Sequence, residues 1–232
     1  LYKILGLDAP RFVHLPTVLN KDRKKLSKRN DDAAVEDFKA KGYLPQALTN
    51  FVALLGWSST EEEEIMSISE LTERFELERI GRSGAVFDID KLNWMNAHYI
   101  KQYDNYELAE LCLPFLSASC TTDKLALILD AVKEKMVLLS DINSLAEPVF
   151  TKCAVNAEQR ILLADEKSVT ALTHLKDSIA KSDKLSSEAI SAFIKDIQKT
   201  YGIKGKDLYM PIRLAVTGHE HGSDLSKIMA AI

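Results

Sequence analysis

From residue 104 onward, apolar residues return every three or four positions, and this spacing constrains the fold more than any other feature. Leu108, Leu111 or Cys112 and Phe115 make one face. Leu125, Ile128 or Leu129, Val132, Met136 and Leu139 make the next. Val169, Leu172, Leu175 and Ile179 follow, then Ile190, Phe193 or Ile194 and Ile197. An α-helix turns once in 3.6 residues, so each set lies on one side of a helix and needs a surface to bury it. Polar joins at 117–123, 141–144 and 182–187 separate the runs. The pattern predicts a helical bundle, or two small bundles in tandem, with the polar dip at 156–167 as the boundary. Only 9 Gly and 6 Pro occur in 232 residues, and an all-β chain needs more turn residues than that.

The first hundred residues are less regular. Phe12-Val13-His14-Leu15 reads as a short strand ending at Pro16. Asp31 or Asp32 is placed to cap a helix beginning at Ala33-Ala34-Val35 and ending near Gly42. Pro45 suits the first turn of a second helix, where its missing N–H is not needed. Ala47, Leu48, Phe51, Val52, Leu54 and Leu55 form its apolar face, and Gly56 stops it. The acidic run Glu61 to Glu64 fits the solvated first turn of a helix, and residues 69–75 fit another short helix. Asp104 with Glu107 has the spacing of a capping box. Residues 202–218 favour a last helix opened by Pro211 and closed by Gly218 over a strand.

One segment stands apart by charge. Residues 21–30 read KDRKKLSKRN, in a chain whose 30 basic and 34 acidic residues leave a net charge of −4. That balance argues against bulk, non-specific nucleic-acid binding but permits a local basic face. The run fits either a solvated charged loop or a phosphate site. Lys25 and Lys28, three apart with Ser27 between them, can converge on one polyphosphate, and lysine is a mobile point charge suited to it.

Other candidates are weaker. Cys112, Cys120 and Cys153 have no paired spacing and read as reduced thiols filling apolar helices in a cytosolic protein. His219 and His221 flank Glu220, but no metal site is expected from that spacing. Trp57 and Trp94 sit in apolar clusters and are expected in the core. Arg213 by position alone reads as a surface charge. No apolar run approaches the roughly 18–20 residues that span a bilayer. The opening LYKILGLDAP has no initiator Met, and the chain reads as part of a longer one.

These residues also carry a resemblance. K-L-S-K-R at 25–29 resembles the second signature loop of class I aminoacyl-tRNA synthetases, in the form found in bacterial-type glutamyl-tRNA synthetases. Its setting is similar too: PRFVHLP before it, KGYLPQALTNFVALLGW at 41–57, FDIDKLNWMNAHYI at 87–100 and MPIRLAVTG at 210–218. The likeness is strong over 1–100 and 205–228, and rests on helical pattern between them.

The resemblance implies a mainly α chain, in which a small α/β stem-contact piece precedes two tandem helical anticodon-binding modules. Residues 1–29 would be the end of a catalytic nucleotide-binding domain, 30–105 the stem-contact fold, 106–160 the first module and 161–232 the second. Lys25 and Lys28 would neutralise ATP phosphates, with Ser27 and Arg29 completing the nucleotide contacts and Mg2+ accompanying ATP. Arg213 would read an anticodon base, Leu225 would contact the loop or pack in the core, and Lys135 stands where the family often has an Arg that reads the third base. The partners implied are tRNA(Glu), with tRNA(Gln) as an alternative, and ATP and glutamate for the whole enzyme, a cytoplasmic monomer without membrane contact. The family's first ATP signature and most of its glutamate pocket are not in the chain, so catalysis by the chain alone is not expected. The rival reading is a helical interaction scaffold with a basic arm and no RNA role.

Overall fold

The computed structural model describes residues 1–26, 34–60, 63–151, 154–182 and 184–232. They form two compact units, 1–99 and 100–232, divided between Tyr99 and Ile100. Among the described residues, no helix is long and apolar enough to cross a membrane.

The first unit contains α1 (Tyr2–Leu5), β1 (Val18–Leu19), α2 (Val35–Lys41), α3 (Pro45–Gly56), α4 (Ile68–Arg74), β2 (Ala85–Val86) and the start of α5 (Ile89–Gln102). The two short strands pair in parallel, Val18 opposite Ala85 and Leu19 opposite Val86. Gly84 permits this approach: a Cβ there would stand 2.8 Å from Leu19 Cδ1 and 3.1 Å from the Thr17 carbonyl oxygen. The strand thus falls just after Pro16, and the expected strand over Phe12–Leu15 does not form. Phe12 and Leu15 are exposed, and among the described residues no strand faces them.

Leu44, Ala47, Phe51, Met66, Leu92 and Met95 are buried at the centre of this unit. Phe87 packs against Phe38 and Phe51, with ring centroids 5.6 and 4.9 Å apart. Two buried asparagines fasten loops to helices. Asn96 Oδ1 accepts from the Leu44 N–H at 2.8 Å, at the entry to α3. Asn50 Oδ1 accepts from the Met66 N–H and from the Tyr99 hydroxyl, both at 2.9 Å. Burial raises the pKa of that hydroxyl, and Glu70 adds to the effect.

Several expectations shift here. Ala34 occupies the N-cap of α2, its N–H donating to Asp37 Oδ2, while Asp31 and Asp32 lie outside the described residues. Glu61 and Glu62 lie outside them too, and Glu63 and Glu64 are not in a helical first turn. They precede α4, and their carboxylates meet Arg74 and Lys91. The cap of α4 is Ser67, which exchanges hydrogen bonds with Glu70. Trp57 is buried with Met66 and Leu71, as expected, but Trp94 is 50 % exposed. The buried side of α5 is set by Leu92, Met95 and Tyr99, and residue 94 points away from that stripe at 100° per residue.

The second unit is built from α6 (Asn105–Cys112), α7 (Thr122–Val132), α8 (Ile142–Phe150), α9 (Ala157–Ala164), α10 (Glu166–Ala180), α11 (Ser187–Tyr201), α12 (Lys206–Thr217) and α13 (Leu225–Ala231). Side-chain caps begin many of them: Asp104, Thr121, Asn156, Asp165, Ser186 and Asp224 each accept an N–H of the first turn. Leu108, Cys112, Leu125, Ile128, Leu129 and Val132 are fully buried where α6 meets α7. Cys112 is a free thiol in that core and Cys120 a free, half-buried one, while Cys153 lies outside the described residues. Ile190, Ile194 and Ile197 of α11 meet Leu175 of α10 and Ile212 of α12 in another core.

The run 125–139 is not one helix. α7 stops at Val132, and 3-10 turns at Lys133–Lys135 and Leu139–Asp141 carry the chain on, with Met136 extended between them. Asp141 Oδ2 accepts from the N–H groups of Val137 and Leu138, both at 2.8 Å, which fixes this corner. On α10 the buried residues are Ser168, Ala171 and Leu175, while Val169 is exposed. Small residues there let α12 pack closely on α10. The last sequence expectation is half met: Gly218 ends α12 at φ 69°, but the helix begins at Lys206 and Pro211 lies inside it. Gly205 opens it at φ 61°, ψ −136°, a conformation that glycine adopts without a steric penalty.

Candidate nucleic-acid interface

The described part of the basic run is a tight turn. Asn20 Oδ1 accepts from the N–H groups of Asp22 and Lys24, at 3.1 and 3.0 Å. The Asn20 N–H donates to the Lys24 carbonyl at 2.8 Å, and Arg23 adopts φ 59°. Asparagine is a good turn former because its side chain can take a backbone acceptor's place. The turn brings Lys25 opposite Leu19 in an antiparallel bridge, and the Leu26 N–H donates to the Val18 carbonyl at 3.0 Å. Lys21 pairs with Asp90 at 2.9 Å, and that carboxylate raises the lysine's pKa. Arg23 and Lys25 are exposed on the turn. Ser27, Lys28 and Arg29 lie outside the described residues.

The second unit contains a recess of about 170 Å³ lined by Lys135, Arg213, His219, His221, Ser144 and Ser223, among others. Separate chain segments build it. Lys135 ends the 3-10 turn after α7, Ser144 is on α8, and Arg213 is on α12. The histidines and Ser223 belong to the loop between α12 and α13. Arg213 Nη1 donates to the Ser223 carbonyl oxygen at 2.9 Å, so the guanidinium is seated against that loop. The buried Thr217 hydroxyl donates to the Arg213 carbonyl at 2.8 Å, and accepts from the His219 N–H at 3.2 Å. A Cβ on Gly222 would lie 2.9 Å from Arg213 Nη1, so the missing side chain leaves the guanidinium its place.

The recess brings together Arg213 and Lys135, two residues far apart in sequence. Leu225 is placed otherwise. It is 5 % exposed, at the start of α13, and belongs to the core with Ile190, Ile194 and Ile212. Its side chain packs and is not presented to the surface. Thr217, Gly222 and the two histidines are not legible in the sequence as members of this recess. The H-E-H spacing draws attention to the histidines only as a weak metal motif. Among the described residues no three His, Cys, Asp or Glu side chains converge as metal ligands.

The exposed indole of Trp94 is a further candidate surface. Its ring centroid is 6.3 Å from that of the exposed His98, one helical turn on. Exposed aromatic faces are the platforms on which unpaired bases stack.

Residues 107–232 match the anticodon binding domain family, and residues 1–94 match the catalytic domain of class I tRNA synthetases (E and Q). The chain is 44 % identical to a glutamate–tRNA ligase of Finegoldia magna, over 100 % of this chain and 49 % of that protein. A glutamate–tRNA ligase of Clostridioides difficile is also 44 % identical, over the same shares. The crystal structure of a glutamate tRNA ligase from Elizabethkingia meningosepticum in complex with its amino acid is similar with a TM-score of 0.83, at 25 % identity, over 99 % of this chain and 50 % of that one. The chain spans about half the length of the relatives it matches.

Proposed function

This chain belongs to the glutamate–tRNA ligase family of class I synthetases, and we infer that it supplies the tRNA-reading half of such an enzyme. The observation that carries this reading is the shared recess of Arg213 and Lys135. Arg213 is the base-reading residue: its guanidinium has five donors in a fixed fork, and the bond to Ser223 leaves others free to meet a splayed base edge. Lys135 contributes charge and a single-point donor, without arginine's planar fork. Leu225 acts through packing, by anchoring the start of α13 beside the reading loop. Trp94 offers an aromatic face to the RNA. We take 30–105 as the stem-contact fold and put the module boundary just before α9, a few residues ahead of the expected 160/161, because α9 packs on α10 and α12.

In the whole enzyme glutamate and ATP form glutamyl-adenylate, releasing pyrophosphate, and the tRNA then accepts the glutamyl group. Lys25, Ser27, Lys28 and Arg29 are assigned to the ATP phosphates. Lys25 suits that role by its exposure and by the fixed turn that presents it. ATP is taken with Mg2+, the tRNA is tRNA(Glu), with tRNA(Gln) as a second substrate to be tested, and the enzyme is a cytoplasmic monomer.

Filter binding of this chain to tRNA(Glu) at low and moderate salt tests the reading. Binding that weakens with salt is expected, because phosphate contacts release counterions. Arg213→Ala is expected to weaken it further and to blur the preference for the glutamate anticodon. Absence of binding at low salt would favour the scaffold reading instead.

A further inference from the structure

We propose that His219 and His221 form, with Lys135, a phosphate subsite beside the base-reading Arg213, and that its grip on RNA depends on protonation of the two imidazoles. The inference rests on the RNA-binding reading of the same recess.

Four groups able to carry positive charge line one concavity from three separate segments. Its volume of about 170 Å³ is well below the roughly 300 Å³ at which small-molecule pockets begin, and suits one phosphate with a base edge beside it. Besides the histidines, the polar residues lining the recess are Lys135 from the 3-10 turn, Arg213 and Thr217 from α12, Ser144 from α8, and Ser223 from the loop. Among the described residues no carboxylate lines the recess. Two carboxylates share the loop, Glu220 and Asp224, and Asp224 is engaged with the Lys227 N–H at 3.0 Å.

Lysine and arginine keep their charge across the pH range in which histidine titrates, so the imidazoles are the groups that can change the charge of the recess. A phosphate entering it accepts hydrogen bonds and carries negative charge, and both favour the protonated ring. Neutral histidine has one N–H to offer; protonated histidine has two and a charge. RNA binding is therefore coupled to proton uptake, and by reciprocity a lower pH strengthens binding. Both histidines are exposed loop residues, so replacing them leaves the helices' packing alone.

The test uses this chain and an anticodon stem-loop RNA carrying the glutamate anticodon, titrated across salt at pH 6 and pH 8. The wild type should bind roughly 10-fold tighter at pH 6, within the usual range of coupling between sites. Its slope of log K against log salt should be steeper at pH 6 by up to about 0.7, the value for one single-strand phosphate contact. His219→Gln/His221→Gln should abolish both differences, and each single variant should remove part of them. Equal pH dependence in the wild type and the double variant would overturn the subsite. If Arg213→Ala weakens binding while pH leaves it unchanged, the anticodon reading stands and the histidine subsite falls. If the RNA does not bind at either pH, both fall.

Discussion

Arg213 donates from Nη1 to the carbonyl oxygen of Ser223, 2.9 Å away, and so ties α12 to the loop that follows it. Thr217 reinforces the tie by bonding back to the Arg213 carbonyl and receiving the His219 N–H. A flexible side chain is thereby held in one place before any ligand arrives, which lowers the ordering cost of binding.

Arg213→Lys separates charge from shape. Lysine keeps the positive charge but has neither the fork nor the planar face. The variant should keep the wild-type salt slope while losing about 1–3 kcal/mol of discrimination between the glutamate anticodon and single-base variants, the worth of a bidentate base contact. Filter-binding titrations with the cognate RNA and its variants measure both quantities.

Gly222→Ala tests the seat of the guanidinium. The new Cβ would lie 2.9 Å from Nη1, so the guanidinium must move and its bond to Ser223 is disturbed. Gly222 is exposed and the displaced atom ends a flexible chain, so stability should change by no more than about 0.5 kcal/mol. RNA affinity should fall nonetheless. A lowered melting temperature with unchanged affinity would remove Gly222 from the site.

Much of this arrangement is legible in the sequence, and what is not has physical causes. The 3.6-residue spacing locates α7 and α11 because their buried faces are large aliphatic residues. On α10 it correctly turns Leu172, Leu175 and Ile179 to the core, but it adds Val169, which is exposed, and misses Ser168 and Ala171, whose small side chains carry little hydrophobic signal. It carries α7 on through residue 139, because Met136 and Leu139 are buried at helical spacing although the backbone between them is extended. Trp94 reads as core from its neighbours' composition, while a helix sorts by angle. The recess is invisible because its members lie far apart in sequence and meet only after packing. Arg213 stands out by resemblance; Thr217 and Gly222 matter through a backbone carbonyl and an absent Cβ.

Asn50 is a keystone of the first unit. Its Oδ1 accepts from the Met66 N–H and the Tyr99 hydroxyl, all in the interior. Asn50→Ala leaves the Met66 N–H buried without that acceptor, whereas the Tyr99 hydroxyl keeps the Met66 carbonyl at 2.7 Å. The loss should be about 1–3 kcal/mol, the cost of one unsatisfied buried donor. Asn50→Asp restores the acceptor but buries a charge, so its stability at neutral pH should be lower than at acid pH. Urea unfolding at the two pH values distinguishes these outcomes.

Cys112 makes stability fall at alkaline pH. It is fully buried on α6, and burial pushes its thiol up from an ordinary 9.0 to about 12. The unfolded chain releases that proton near pH 9, and the folded chain keeps it. Between pH 9 and about 12 the unfolded state therefore binds fewer protons, and stability declines as pH rises. Below pH 9 the contribution is fully present. Denaturant midpoints at about pH 8 and pH 10.5 should show the wild type losing up to ~2 kcal/mol more than Cys112→Ala, at 1.36 kcal/mol per pH unit. Other groups that titrate in this range are common to both proteins and cancel in the comparison. Iodoacetamide near pH 8 should correspondingly leave Cys112 unlabelled until denaturant is added, since the thiolate is the reactive form. Rapid native labelling of the peptide that carries Cys112 would contradict its burial.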